Sequence, residues 1–516
     1  MPPRALKPAF RPTANFSAIE MREPIMADQT LTELSAKEAR RLVGAKAISP
    51  VELLEACIER IDAVDPAVNA ICARDFDRAR IEAVEAERSV LRGDDLSPLH
   101  GLPVAVKDLE DTAGLLTTYG SPQHKDNVPA EDSLMVARVK RAGGIVFCKT
   151  NTPEFGAGAN TRNPVWGATG NPFAPLLNAG GSSGGSAVAL ACGMTPLATG
   201  TDMGGSLRIP AAYCGVSGFR PTPGLVPTTK SLLGWSPLSV PGPMARSIED
   251  ICMLLAHQAA DDARDPLSTA IDPRDFAAPP SVDLSTLRVA WTTDFGFSKV
   301  DAAYAKTFRA KVQAIAHCFA EHGEATPDLH DADEIFGVLR ALSFVASHGD
   351  AYDRDPNLLG PNVRGNYEQG AAMSLADVAR AQAAHTKLYR RTEAFFGEYD
   401  LLIAPTVPIS PFPWQTLYLE EINGERLPEY YSWLATTYGI TLTTCPAASI
   451  PLGLDEKGMP FGLQVIGPAK DDGFVLGAAH AIQETFKNHP DLMRPKPDLA
   501  KLMAGPTPEL KSIVEA

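Results

Sequence analysis

The chain of 516 residues carries 47 Lys and Arg against 62 Asp and Glu, a net charge of −15, with 45% hydrophobic and 21% charged residues. Those proportions belong to a folded globular protein and exclude a wholly disordered one. The acidic balance argues against a surface for nucleic-acid phosphates, which needs clustered Lys and Arg.

In chain order, the N-terminus offers Arg4, Lys7, Arg11 and Arg22 but no apolar core, so no secretory leader is read there. Residues 1–30 read as a disordered extension, with a more ordinary start at Met26. Residues 35–93 read as helices. Ser49-Pro50-Val51-Glu52 combines an N-cap, a Pro in the first turn and a capping-box Glu, and Leu53, Leu54, Cys57, Ile58 and Ile61 follow at helical spacing. Leu102 to Val106 predicts a buried strand ending at Lys107-Asp108. A helix over 132–142 and a strand over 145–148, ending at Lys149, follow. This strand–helix–strand order predicts an α/β core.

The next stretch breaks the composition. A 39-residue window at 21% charge should hold about eight charges, yet Asn163 to Thr201 holds none. Pro164, Pro172, Pro175, Pro196 and eight glycines exclude a membrane-spanning helix. Beyond it the pattern predicts a helix from Ser247, a strand at 287–292, and helices near 300–321, 331–349 and 374–397. Leu401 to Pro405, 447–451 and 461–466 read as strands, 474–486 as a helix and 501–516 as a tail. Core strands at both ends of the chain favour one interleaved domain over 31–500. The eight cysteines are scattered, with no C-x-x-C, and read as buried thiols of a cytoplasmic protein.

Chemistry is concentrated in two glycine-rich segments, Gly180-Gly181-Ser182-Ser183-Gly184-Gly185-Ser186 and Gly200-Thr201-Asp202-Met203-Gly204-Gly205-Ser206-Leu207-Arg208. A flexible linker is the plain reading of the first, weakened by the apolar, helix-competent Ala187 to Cys192 behind it. A nucleophile elbow on Ser182, as in an α/β-hydrolase esterase, needs a preceding strand, and Phe173 to Asn178 is poor strand material. A phosphate loop fails because no Lys-Ser/Thr follows the glycines. Taken together, the segments offer Ser206 as a nucleophile beside its own oxyanion donors, the backbone amides around Met203, Gly204, Gly205 and Ser206. Lys107 and Lys149, at strand ends, are both candidate bases if burial lowers their pKa.

These residues resemble the amidase signature family. The paired segments are joined by Val106-Lys107-Asp108, Lys149-Thr150-Asn151-x-Pro153-Glu154-Phe155, Asn171-Pro172, Gly242-Pro243-Met244-Ala245-Arg246 and Gly462-Leu463-Gln464, so the resemblance spans about residues 30–490. It implies a central mixed β-sheet flanked by helices on both faces and a Ser–Ser–Lys triad. In that triad Lys107 is the base, Ser182 the bridging serine after a cis peptide bond, and Ser206 the nucleophile. Asp202 and Arg208 would support the oxyanion loop as a structural ion pair. Asn178-Ala179 and Met203 depart from the Ser-Pro and Thr that the family often has there.

The resemblance implies hydrolysis of a carbon–nitrogen bond, in a carboxylic amide, an aryl amide or a carbamate, with no metal and no organic cofactor. A small-molecule substrate, no direct nucleic-acid or membrane partner, and a monomer or homodimer are expected. The alternatives are the glutamine-hydrolysing component of a tRNA-dependent amidotransferase and a non-catalytic scaffold protein. Trp235, Leu238, Phe344, Tyr430, Tyr431 and Trp433 are candidate pocket residues, with a helical, substrate-shaping insertion around 300–400.

Overall fold

The computed structural model describes residues 28–511, so the expected extension up to residue 27 and the last residues of the tail lie outside the described residues. The first long helix, Pro50–Val68, starts as its sequence dictates. Ser49 Oγ accepts from the Glu52 N–H at 3.0 Å, and the Glu52 carboxylate accepts from the Ser49 N–H at 2.8 Å. The helix ends at Asn69 in the left-handed region, φ 51°.

Eleven strands form one mixed sheet: β1 Ile71–Arg74, β2 Pro103–Lys107, β3 Ile145–Thr150, β4 Leu197–Asp202, β5 Ser217–Arg220, β6 Val240–Ala245, β7 Arg288–Trp291, β8 Glu321–Glu324, β9 Leu401–Pro405, β10 Ala447–Leu454 and β11 Pro460–Ile466. Their spatial order is β1-β3-β2-β4-β6-β5-β10-β11-β9-β7-β8. β2 runs parallel to β3 and β4, and β7 parallel to β8 and β9, with antiparallel pairs between these groups. The last two strands of the sequence therefore sit inside the sheet and join the halves.

Alternate residues of the central strands feed two separate cores. Val104, Val106 and Leu197 join the helix Ile248–Gln258 in one, while Ala105 and Ala198 join the helix Gly184–Ala191 in the other. Helices thus cover both faces, and the apolar burial on each face holds the sheet between them. The charge-free window explains itself here. Residues 178–200 are buried without interruption, where an unpaired charge would be costly.

The structure adds elements that the pattern did not predict. β1 lies in a region read as wholly helical. β4, β5 and β6 lie in the glycine-rich and proline-rich middle, and β8, Glu-His-Gly-Glu, is an exposed polar edge strand without alternation. Pro241 and Pro243 are tolerated in β6 because β5 pairs only with Met244 and Ala245. A further helix, Pro361–Ala371, separates Ala332–Arg354 from Leu375–Phe396. Residues 501–511 pack down rather than trail away, with Leu502 and Leu510 buried and the Thr507 N–H donating to Pro66 O at 3.1 Å.

Candidate active site

β2 delivers Lys107, fully buried, to the floor of a cavity of about 90 Å³. Its Nζ donates to Ser182 Oγ at 2.7 Å, Thr201 Oγ1 at 2.8 Å and Ser183 Oγ at 2.9 Å. Burial lowers the ammonium to about 7, while the charges of Glu110 and Asp202 act in the opposite sense. Near neutral pH this amine is therefore available to accept a proton, and its three partners are hydroxyls that can donate as well as accept.

Ser182 follows a cis peptide bond from Gly181 and precedes the helix Gly184–Ala191. The segment before it is a loop, not a strand, which rules out the α/β-hydrolase elbow considered for Ser182. That helix lies very close to β3. A Cβ on Gly185 would come within 2.3 Å of the Asn151 nitrogen, so only glycine fits.

β4 ends in Thr201 and Asp202 and opens into the loop that carries Ser206. Ser182, Thr201, Met203, Gly204 and Ser206 all line the cavity. Ser206 is half-buried, and among the described residues its hydroxyl makes no hydrogen bond, to Ser182 or to any other group. Its carbonyl accepts from the Ser183 N–H at 3.3 Å, which ties the two serine segments together.

Asp202 shapes this loop. Its carboxylate accepts from the Gly205 N–H at 2.9 Å and the Leu207 N–H at 3.1 Å, and from Arg208 in a two-point pair at 3.1 and 2.9 Å. Arg220 donates to the Asp202 carbonyl at 2.6 Å. Burial works to raise the Asp202 pKa, but Arg208, Arg220 and these hydrogen bonds hold it well below the usual carboxylate range. Burial lowers Arg220 to about 10, with Asp202 resisting.

One expected oxyanion donor changes as a result. The Gly205 N–H is committed to Asp202, which leaves the N–H groups of Met203, Gly204 and Ser206 without a protein acceptor among the described residues. Gly205 sits at φ 117°, and a Cβ there would approach Thr437 Oγ1 to 2.3 Å. Thr437 in turn donates to Gly204 O at 2.7 Å. A loop braced in this way can hold its free N–H groups toward an anionic oxygen without reorganising.

Of the candidate pocket residues, Phe344 lines the cavity, and Tyr430 and Tyr431 pack around Arg340, which lines it too. Trp235 is 79% exposed on a surface loop, Leu238 is core, and Trp433 packs edge-on against Phe412. Large side chains at those three positions serve surface or core, not the site. Lys149 also lies apart: its Nζ donates to Glu110 O and to Thr112 Oγ1, the latter at 3.1 Å. Ser183, Thr201, Arg220 and Arg340 belong to the site without having been expected there from sequence. Arg340 had one signal, a single charge inside the apolar run Ile335 to Ala346.

This geometry matches known proteins along most of the chain. A sequence model of the Amidase family matches residues 52–476. The chain belongs to the amidase signature family. It is similar to an acylamidase of Rhodococcus erythropolis, 34% identical over 463 residues, which span 88% of this chain and 96% of the relative. It is also 32% identical to the amidase-family component of the glutamyl-tRNA(Gln) amidotransferase of Chloroflexus aurantiacus, over 89% of this chain and 98% of the relative. Among solved structures, a bacterial aryl acylamidase of the amidase signature family superposes with a TM-score of 0.82 at 27% identity. That match covers 92% of this chain and 99% of the other. The protein is an amidase, a hydrolase acting on carbon–nitrogen bonds.

Proposed function

We propose that this amidase hydrolyses a small carboxylic amide, with aryl amides the first class to assay and aryl carbamates the second, through an acyl-enzyme on Ser206. The observation that carries the reading is Lys107, fully buried, lowered to about 7 and bonded to Ser182 in the cavity that also holds Ser206. Neutral Lys107 takes the Ser182 proton as Ser182 takes that of Ser206, and Ser206 Oγ attacks the carbonyl carbon. The Ser182–Ser206 hydrogen bond forms with substrate in place, since catalytic contacts tighten in the bound complex. The N–H groups of Met203, Gly204 and Ser206 hold the oxyanion, where one lost donor typically costs about 3–4 kcal/mol. As the tetrahedral centre collapses, the C–N bond breaks and the relay returns the proton to the leaving amine. Water, deprotonated through the same relay, then attacks the ester and frees the acid and Ser206.

A fluorophosphonate probe tests the assignment. It labels Ser206 in the wild type and Ser182→Ala reacts slowly, whereas Ser206→Ala takes up no label. An adduct on Ser182 in the wild type would overturn the reading. A panel of anilides, primary amides, peptide amides and aryl carbamates then ranks the substrates.

The similarity to the amidotransferase component favours a second reading, in which glutamine is the amide. Glutamine-dependent ammonia release that requires a co-purifying partner would favour it over the first.

A further inference from the structure

Arg340 is an unusual residue for an apolar cavity wall. It projects from the helix Ala332–Arg354, is buried, and makes no ion pair among the described residues. Its guanidinium lies within 6 Å of four ring centres, 4.8 Å from Phe344 and 5.6–5.9 Å from Tyr430, Tyr431 and Phe336. Nε donates to Asn366 Oδ1 at 3.1 Å, Nη2 to Tyr430 OH, and Nη1 to the soft sulfur of Met203 at 3.3 Å. An arginine has five N–H donors, so two remain unspent.

A buried cation without a counter-charge destabilises a fold, and aromatic faces offset only part of that penalty. A neutral Gln or Met would fill the same space without it. A charge kept there makes sense when a ligand supplies the missing anion. The cavity lining supports this: it contains Arg340 but neither Asp nor Glu. It is complementary to a single negative charge and offers nothing to an ammonium group, so it does not fit a zwitterion such as free glutamine. The contact with Met203 fixes the distance as well. It places the guanidinium one side chain away from the oxyanion loop, and hence near the scissile carbonyl.

We propose that Arg340 recognises a carboxylate on the substrate: the amide cleaved here bears a carboxylate joined to its scissile carbonyl by a short linker. This rests on the amide-hydrolase reading above. The planar fork of Arg340, held by Asn366 and Tyr430, presents its two unspent N–H groups to the carboxylate oxygens. Leu109, Phe155 and Phe344 surround the apolar remainder.

The test compares the monoanilides of malonate, succinate and glutarate with butyranilide and with the methyl ester of the succinyl anilide, reading aniline release. The wild type prefers at least one of the three acids over its neutral counterparts by about tenfold or more in kcat/KM, mainly through KM, as one charge-assisted pair provides. Arg340→Gln brings that ratio to within about twofold of unity, and Arg340→Lys retains part of it. Binding to Ser206→Ala, by calorimetry, gives a readout free of turnover. The preferred acid binds about tenfold tighter than butyranilide, and Ser206→Ala/Arg340→Gln loses that margin. A wild type without preference in both assays, or a preference that survives Arg340→Gln, overturns the proposal. If Arg340→Gln does not fold, the wild-type ratios and Arg340→Lys decide. If Ser206→Ala keeps full turnover, the catalytic reading fails while the binding arm still judges Arg340.

Discussion

Lys107 and Lys149 end neighbouring parallel strands, and both are fully buried. Burial lowers both ammonium groups. They nevertheless face opposite sides of the sheet, because the register of β2 and β3 shifts after Val104. Val104 pairs with Val146, but Ala105 pairs with Cys148, so Val106 meets Lys149 and Lys107 meets Thr150. Without that one-residue bulge, Lys107 and Lys149 would be partners on one face. Instead Lys107 enters the serine cluster, where hydroxyls accept either charge state. Lys149 meets the Glu110 carbonyl, which can only accept, and the nearby Asp108 charge favours its proton. Burial makes a lysine capable of being a base. What it faces decides whether it acts as one.

The sharpest way to break this contrast is to remove each amine. Lys107→Ala lowers kcat/KM roughly 10⁴-fold or more, as loss of a triad member does, with the thermal unfolding temperature showing that the fold persists. Asp202→Asn comes next. It leaves Arg208 and Arg220 buried beside a neutral group and destabilises the protein by about 3–5 kcal/mol in urea unfolding. Lys149→Met destabilises by about 1–3 kcal/mol through the unpaired Glu110 carbonyl and Thr112, while activity per folded molecule stays within about threefold. A large loss of activity in Lys149→Met with an intact fold would erase the distinction.

The pH profile sharpens the same contrast. A lowered pKa supplies the neutral amine at lower pH than an ordinary lysine, which titrates near 10.4. kcat/KM therefore rises through about 7 and levels off above it, and a profile still climbing at about pH 10 would exclude Lys107 as the base. Linkage gives the matching sign for stability. Between about 7 and 10 the unfolded chain holds a proton that the folded one lacks, so this group makes stability rise with pH across that window.

Local chemistry made some of this legible in the sequence. The capping box at Ser49 and Glu52, the apolar run before Lys107 and the strand Leu401–Pro405 stand where their patterns put them. β5 and β6 were hidden because Gly218, Pro241, Gly242 and Pro243 give no strand periodicity, and their pairing comes from tertiary context. The two glycine segments pointed to the site, but the choice between Lys107 and Lys149 needed the bulge, which no local pattern encodes. Trp235 looked like a pocket residue because aromatic side chains favour pockets; its place on an exposed loop follows from contacts far away in sequence. Arg340 was missed because periodicity treats a charge in an apolar helix face as an interruption.

The brace on the oxyanion loop has a consequence for the order of assembly. Gly204 and Arg208 are held by Thr437, Thr441 and Gln464, and Gln464 lies on a strand in the middle of the sheet. During synthesis Ser206 emerges long before Gln464, by roughly 10–50 s at about 5–20 residues per second. Through that interval the nascent chain carries its nucleophile and base but not the strands that shape them. The enzyme is thus silent on the ribosome, and any truncation upstream of Gln464 yields a chain that contains every reacting atom and no working site.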